Sequence, residues 1–221
     1  MIASGLTIFL AIYAWQQRPA HRAVTFALLM VAVSVWTFAT GWGMLRLTES
    51  GTFIWAGVIS VPVLWLAFSL QFSSQEKWLT PSNILLFSII PLTSILLMIN
   101  TQSHHLFFKE IRSVVVTPFL IDDEWVLGPW FWVHMIYSYA LILLGDVFIL
   151  REAVRVSRQY RLQAAALMLG TLILLVVNIL FTFKLIPGLE VNYDPLGFTL
   201  AGLVLGWGLF RYRLFDLRPI A

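Results

Sequence analysis

The chain has 221 residues, of which 60% are apolar and only 11% are charged, against about 25% charged residues in an ordinary soluble domain. A soluble core of this length could not bury so much apolar surface, so the composition excludes a soluble enzyme and indicates a membrane protein with several spans. The chain has no cysteine, which excludes a disulfide framework, a thiol nucleophile and a cysteine-ligated metal site.

Seven apolar stretches are candidates for membrane-spanning helices, each of which needs about 20 residues to cross a hydrocarbon core of about 30 Å. The first is the shortest, but it lacks the basic segment and the cleavage site of a signal peptide, so we interpret it as a helix. The approximate bounds are Met1–Gln17, Arg22–Leu45, Thr52–Phe72, Asn83–Asn100, Trp130–Leu150, Leu162–Phe183 and Tyr193–Phe210. The predicted fold is an all-α bundle of seven transmembrane helices that forms a single domain over residues 1–221.

The basic residues lie mostly in one of the two sets of connections between the spans. Ten of the 14 lysines and arginines belong to this set, and cytoplasmic loops carry an excess of Lys and Arg. We therefore predict that the amino terminus is outside and the carboxyl terminus is cytoplasmic. This distribution explains the net charge of +3 without a nucleic-acid partner. The ten residues are Arg18, Arg22, Lys77, Arg151, Arg155, Arg158, Arg161, Arg211, Arg213 and Arg218.

The longest connection is the outside segment 101–129, whereas most of the others are short. It contains an alternating stretch, Ile111–Phe119, and an acidic turn at Asp122–Glu124. This pattern is compatible with a small β-hairpin over the outer mouth of the bundle, and equally with an ordinary ordered loop. Whether the segment acts as a lid is left open by the sequence.

Small residues and prolines within the spans predict how the helices pack. Pro62 and Pro91 should kink the third and fourth helices. Gly202 and Gly206 form a small-xxx-small spacing in the last span, which allows close helix contact. We expect this contact within one bundle in preference to a dimer interface.

Several kinds of membrane chemistry are excluded or disfavoured by the placement of their essential residues. Every lysine lies in a loop or at a span end, which excludes a retinal Schiff base inside a span. His134 is the only histidine within a span, so a paired-histidine haem site is not expected. His104 and His105 could join Glu110 in an outside metal site, but adjacent loop histidines are more often solvated. We therefore expect no catalytic residue, no metal and no cofactor.

Asp146 is the one acidic residue inside a span, and an intramembrane carboxylate is a functional candidate by default. It lies about one turn from the predicted cytoplasmic end of the fifth span, with Arg151 close by. We prefer the interpretation that it reaches the interface or pairs with an arginine.

The outer half of the bundle carries the residues that could bind a ligand. Trp130, His134 and Tyr137 share one helical face, and Asn178 should face the bundle because a buried amide needs a partner. Aromatic walls with a few polar groups are typical of a small-molecule pocket, although each residue alone could serve in an interhelical hydrogen-bond cluster. The predicted ligand-binding set is Trp36, Trp42, Trp65, Trp130, His134, Tyr137, Asn178, Asp194 and Phe198.

Motifs along nearly the whole chain resemble the amino-terminal seven-transmembrane sensor region of bacterial membrane histidine kinases. The second and third spans contain SVWTFATGW and PVLWLAFSLQFS, and the loop before the sixth contains YRLQAAALMLG. The most specific motifs are GPWFWVHMIYSY, NYDPLGF and the terminal FRYRLFDLRPIA.

The resemblance implies a receptor-like role, in which an outside or membrane-borne signal is passed to a cytoplasmic PAS, kinase or diguanylate-cyclase module. The segment 211–221 is then the joint to that module, with Arg211, Arg213, Phe215 and Asp216 as output residues. We expect a truncated receptor piece in preference to a stand-alone sensor, without kinase activity of its own.

The expected setting is the bacterial cytoplasmic (inner) membrane, with membrane lipids and an unidentified small-molecule or lipid ligand as partners. A homodimer is expected, as sensor kinases generally signal as dimers. Two alternatives remain open, a small-solute transporter and a membrane subunit of a larger complex. The absence of a repeated three-span unit and of a central charge weighs against the transporter.

Overall fold

A computed structural model describes residues 1–18, 21–44, 51–117, 120–155, 158–186 and 194–212. These residues form seven long helices, one single-turn helix and a two-stranded hairpin. The helices are α1 (Ile2–Gln16), α2 (His21–Met44), α3 (Gly51–Phe72), α4 (Pro81–Ile99), the single turn α5 (Thr101–His104), α6 (Pro129–Arg155), α7 (Arg158–Thr182) and α8 (Asp194–Tyr212). The strands are β1 (Phe108–Thr117) and β2 (Leu120–Leu127), and a short 3₁₀ turn at Glu76–Trp78 precedes α4.

The seven predicted spans correspond to the seven long helices. Five of these helices, α2, α3, α4, α6 and α7, are long and apolar enough to cross a membrane. Helix α1 is shorter, with 15 residues, and α8 has 19 residues with Asp194 in its first turn and Arg211 in its last. Two of the helices extend beyond the predicted spans. The fifth span was predicted to end at Leu150, whereas α6 continues to Arg155. The sixth was predicted to begin at Leu162, whereas α7 begins at Arg158.

The helices run alternately up and down and form a closed arrangement. Each of α1, α2 and α3 packs on the next, α3 packs on α6, α6 on α7, α7 on α8, and α8 returns to α1. Helix α4 lies outside this ring against α3 and α6. We call the end that carries α5, β1 and β2 the hairpin end, and the opposite end, where α6 meets α7, the basic end.

Glycines bring α1 and α8 together inside one bundle. A Cβ atom at Gly202 would lie 2.8 Å from Leu6 Cδ2, and one at Gly206 would lie 3.4 Å from Leu10 Cδ2. The four-residue spacing on α8 therefore matches a four-residue spacing on α1. This confirms that the small-xxx-small motif serves contact within the bundle.

The segment 101–129 contains an antiparallel β-hairpin, which confirms one of the two structures that its sequence allowed. Residues Phe108 and Leu127 pair at its base, and Thr117 pairs with Leu120 at the far end. The acidic stretch Asp122–Glu124 was predicted to be a turn, and that prediction is wrong. These residues lie within β2, and residues 118–119, which connect the strands, lie outside the described residues.

The orientation of the bundle in the membrane can be tested by cysteine labelling, because the natural chain has no cysteine. Ser103 is exposed at the hairpin end and Gln16 is exposed at the basic end. We expect a membrane-impermeant maleimide to label Ser103→Cys in intact spheroplasts and Gln16→Cys only after permeabilisation. The opposite labelling pattern would show that the amino terminus is cytoplasmic.

Close packing of α2 on α3 should make Gly57 intolerant of a side chain. A Cβ atom there would lie 2.6 Å from Trp36 Cβ and 2.8 Å from the Ala32 carbonyl oxygen, so one of the helices would have to move. We expect Gly57→Ala to lower the free energy of unfolding by about 1–3 kcal/mol, measured by denaturant titration in detergent. The matched control is Gly5→Ala in α1, where a Cβ meets no atom within 4 Å. Equal effects of the two substitutions would contradict this packing.

Candidate functional site

The hairpin is seated on the bundle by aromatic side chains at its base. We call Trp55, Phe107, Phe108, Trp125 and Phe131 the aromatic base. The ring centroid of Trp55 lies 5.4 Å from that of Phe107, 5.0 Å from Phe108 and 6.0 Å from Trp125. Phe107 and Phe108 are both fully buried. Burial of these rings joins the hairpin to α3 and α6, since edge-to-face pairs add to the stabilisation from buried apolar area.

Two glycines let the hairpin approach the helices this closely. A Cβ atom at Gly128 would lie 2.2 Å from the carbonyl oxygen of Leu106, so this position excludes any side chain. The Gly128 amide donates to the Phe107 carbonyl, and the Trp130 amide donates to the Leu106 carbonyl. At Gly51, a Cβ atom would lie 2.9 Å from the Trp125 ring. Backbone hydrogen bonds therefore join the start of α6 to the two residues that precede β1.

His134 lies beneath the hairpin in a buried hydrogen-bond network between α4 and α6. Its Nδ1 is 3.1 Å from Ser94 Oγ, and its Nε2 is 3.2 Å from Ser138 Oγ. The Trp130 indole N–H donates to the same Ser94 oxygen at 3.0 Å. The ring of Phe107 lies 6.1 Å from the imidazole, so the network touches the aromatic base.

A second polar network joins α6, α7 and α8 at the hairpin end. The Tyr139 hydroxyl donates to Asn178 Oδ1 at 2.7 Å, and Asn178 Nδ2 donates to Asp194 Oδ1 at 3.4 Å. Thr182 also interacts with the Tyr139 hydroxyl. The expectation that the amide of Asn178 faces into the bundle is confirmed. Tyr139 packs against the cluster that contains the aromatic base, so both networks border the hairpin.

The remaining members of the predicted ligand-binding set do not join these networks. Tyr137 turns toward α4 and donates to the Phe87 carbonyl at 2.5 Å. Trp36 packs edge-to-face on Phe198 with centroids 4.6 Å apart, between α2 and α8. Trp42 stacks on its helical neighbour Phe38. The structure therefore distributes the set over several helix interfaces.

Trp65 lies toward the basic end, at the interface of α3 with α6. Its indole packs on Gly145, where a Cβ atom would lie 3.0 Å from the ring, and it borders the carboxylate of Asp146. Asp146 accepts a hydrogen bond from Thr171 on α7 at 3.2 Å. It lies nine residues before the end of α6, about 14 Å along the helix. The observed partner of this carboxylate is therefore a hydroxyl of α7, and its reach to the membrane interface stays a prediction.

Three members of the two networks were missed by sequence reasoning. Ser94 and Ser138 are hydroxyl residues in apolar helices, where serine commonly bonds its own backbone. Tyr139 lies two residues after Tyr137, but the two tyrosines turn to different neighbours, α7 and α4. The four-residue spacing of His134 and Ser138 was the only sequence signal of these contacts. A local pattern shows which residues share a face, but it does not show which helix packs on that face.

The two loop histidines bond backbone groups of their own loop. His104 Nδ1 accepts from the Leu106 amide, and His105 Nδ1 bonds the Lys109 carbonyl. Both rings therefore serve the loop backbone, and no group of three metal-ligating side chains was found among the described residues. Arg211 is exposed in the last turn of α8. The other predicted output residues, Arg213, Phe215 and Asp216, lie outside the described residues.

A family model described as the N-terminal 7TM region of histidine kinase matches residues 1–219. The chain belongs to this family. No curated protein and no solved structure shows a significant match.

Membership of the histidine-kinase 7TM family agrees with the architecture. The chain is a multi-pass membrane protein with seven helices, as its hydropathy predicted, and five of them are long enough to span a bilayer. The matching family model describes the N-terminal part of these kinases. A cytoplasmic output module belongs to the full-length proteins of this family.

The histidine network of this 7TM region should depend on Ser94. Ser94→Ala leaves the Trp130 indole N–H and His134 Nδ1 without their partner in a buried site. We expect the free energy of unfolding to fall by about 1–2 kcal/mol, measured by denaturant titration. The control is Ser88→Ala on the same helix, because that hydroxyl bonds only the Ile84 carbonyl one turn earlier. A loss no larger than the control's would contradict the network.

The second network predicts energetic coupling between α6 and α7. Tyr139→Phe and Asn178→Leu each remove one side of the same hydrogen bond. We expect the double variant to lose less free energy of unfolding than the sum of the two single losses, by about 0.5 kcal/mol or more. Asn178→Leu should cost more than Tyr139→Phe, since it also removes the donor to Asp194. Strict additivity in the double-mutant cycle would show that the two side chains do not interact.

Proposed function

We propose that this chain is the signal-receiving region of a bacterial histidine kinase or a related signalling protein in the cytoplasmic membrane. A stimulus acts at the hairpin end, and the bundle passes a conformational change to the output module at the basic end. The observation that carries this proposal is the course of α6, which runs without a break from the base of the hairpin to the basic end.

Helix α6 bears most of the groups that respond to the position of the hairpin. Trp130 near its start and Gly128 just before it donate to backbone carbonyls of the two residues that precede β1. His134 and Ser138 contact α4 and the interior, and Tyr139 contacts α7. A displacement of the hairpin therefore changes the contacts of α6 with both neighbouring helices. The other end of the same helix is Arg155 at the basic end.

The stimulus that these contacts favour is a small ligand with apolar or aromatic surface and a hydrogen-bonding group. Aromatic side chains border one buried and one partly buried polar network, and such a combination supplies shape and orientation for a small molecule. His134 and Trp130 form one part of the proposed site, and Asn178 and Asp194 the other. Phe198 lies one turn after Asp194 and therefore on the same side of α8. Trp36 of α2 packs on Phe198 from the neighbouring helix.

The ligand must bind two arrangements of the bundle with different affinity, since equal affinity would shift nothing. One arrangement is the docked hairpin with the polar networks closed. In the other, the aromatic base is displaced and the ligand takes over hydrogen bonds of His134 or Asn178. The resulting shift of α6 is read at the basic end, in a homodimer of the full-length protein.

A thermal-shift screen of the purified chain tests this proposal directly. We expect a compound among small apolar, aromatic and lipid-like molecules to raise the unfolding temperature. At 100 times its Kd it should add about 2.7 kcal/mol of stability. His134→Gln and Asn178→Leu should abolish this stabilisation, whereas the control Ser88→Ala should retain it.

The signalling readout of the same variants separates binding from folding. The readout is the kinase activity of a full-length protein that carries this region. We expect the wild type to respond to the ligand, and the two variants to fold but not to respond. If the stabilisation survives in both His134→Gln and Asn178→Leu, the ligand site lies elsewhere. A panel without any hit would contradict the small-ligand stimulus and point to the membrane or a protein partner.

A further inference from the structure

Four arginines stand close together where α6 ends and α7 begins. We call Arg151, Arg155, Arg158 and Arg161 the arginine corner; all four side chains are exposed. Within α6 and within α7, its members are separated by about one helical turn. Arg155 and Arg158 are three residues apart, which limits their Cα separation to about 11 Å. Four guanidinium groups are therefore gathered at one corner of the bundle.

The opposite faces of both helices explain why these arginines point outward. Ile149 and Ala153 are buried on α6, and Tyr160 and Gln163 are buried on α7. The Tyr160 hydroxyl bonds the last carbonyl of α3, that of Phe72, which holds the start of α7 against the bundle. The arginines therefore lie on the side of α6 and α7 that faces away from the core.

The charge of the corner is not compensated by the described part of the chain. None of its four guanidinium groups makes an ion pair with a described carboxylate within 4 Å. The one acidic residue between them, Glu152, is half-buried and interacts with Tyr160 on the inward side. Excess positive charge at this position favours an anionic partner.

An apolar surface leads from the middle of the helices to the arginine corner. On α6 the exposed residues Val147, Leu150 and Val154 approach Arg151 and Arg155 along the outer face. On α7 the exposed Leu162 follows Arg161, and the apolar face continues toward the hairpin end. The exposed apolar residues of this surface are Leu143, Leu144, Val147, Leu150, Val154, Leu162, Leu169 and Leu172.

We infer that the arginine corner binds the headgroup of an anionic phospholipid, whose acyl chains lie along the exposed faces of α6 and α7. Guanidinium groups match phosphate oxygens in charge and in bidentate geometry. A soluble anion would use the charges and leave the apolar surface unused, whereas a phospholipid uses both. This site is distinct from the proposed stimulus site at the hairpin end.

Lipid binding can be measured by native mass spectrometry of the delipidated chain in detergent. The probes are dioleoyl phosphatidylglycerol and dioleoyl phosphatidylcholine, titrated in parallel. We expect the wild type to retain phosphatidylglycerol, and Arg155→Gln/Arg158→Gln to lose about tenfold or more in affinity. Arg155→Lys/Arg158→Lys keeps the charge but not the bidentate geometry, so we expect its affinity to lie between those of the wild type and the Gln pair.

The matched control is Arg18→Gln/Lys77→Gln, which removes two positive charges from exposed side chains at the same end of the bundle. We expect this variant to bind phosphatidylglycerol as the wild type does. Equal losses in the two double variants would overturn the proposal, because they would indicate a general interfacial charge without a site. Displacement of the lipid by equimolar glycerophosphate would also overturn it in favour of a soluble anion. The lipid-binding result is independent of the thermal-shift screen, so failure of the proposed ligand site at the hairpin end would not change it.

Discussion

The arrangement of this protein depends on one constraint of a hydrocarbon environment, where a polar side chain on a helix must find its partner on the protein. Three polar groups of α6 meet this requirement on two neighbouring helices. His134 bonds Ser94 on α4, Tyr139 bonds Asn178 on α7, and Asp146 accepts from Thr171 on α7. Since no water competes for these groups, the hydrogen bonds specify which helices lie next to α6. A movement of α6 would therefore change its hydrogen bonds with α4 and α7.

The hairpin extends this arrangement outside the helices. Aromatic rings at its base pack against Trp55 and Phe131, and the residues just before β1 are hydrogen-bonded to Gly128 and Trp130 at the start of α6. Gly128 is required because the Leu106 carbonyl occupies the place of a side chain. An isolated two-stranded hairpin is only marginally stable in water, so docking on the bundle contributes to its order. The hairpin and the start of α6 are therefore linked by direct contacts.

The two ends of the bundle differ in their chemistry. The hairpin end combines aromatic rings with two hydrogen-bonded polar networks, the combination that we propose to bind a small ligand. The basic end presents exposed arginines beside an apolar surface, and it suits a lipid headgroup. Helix α6 contributes to both ends, through His134 at one and Arg155 at the other. A lipid bound at the arginine corner would thus act on the same helix as the stimulus, although the two sites lie far apart.

The sequence by itself determined the seven helices, their approximate bounds and the family, because each follows from local composition or from motifs such as GPWFWVHMIYSY. It also indicated that Asn178 faces the bundle and that Gly202 and Gly206 form a contact, since spacing along one helix defines a face. Only the tertiary structure decided which helix each face meets. Tyr137 and Tyr139 are two residues apart, yet one bonds α4 and the other α7. The order of helices around α6 separates them, and this order depends on packing between residues far apart in the chain.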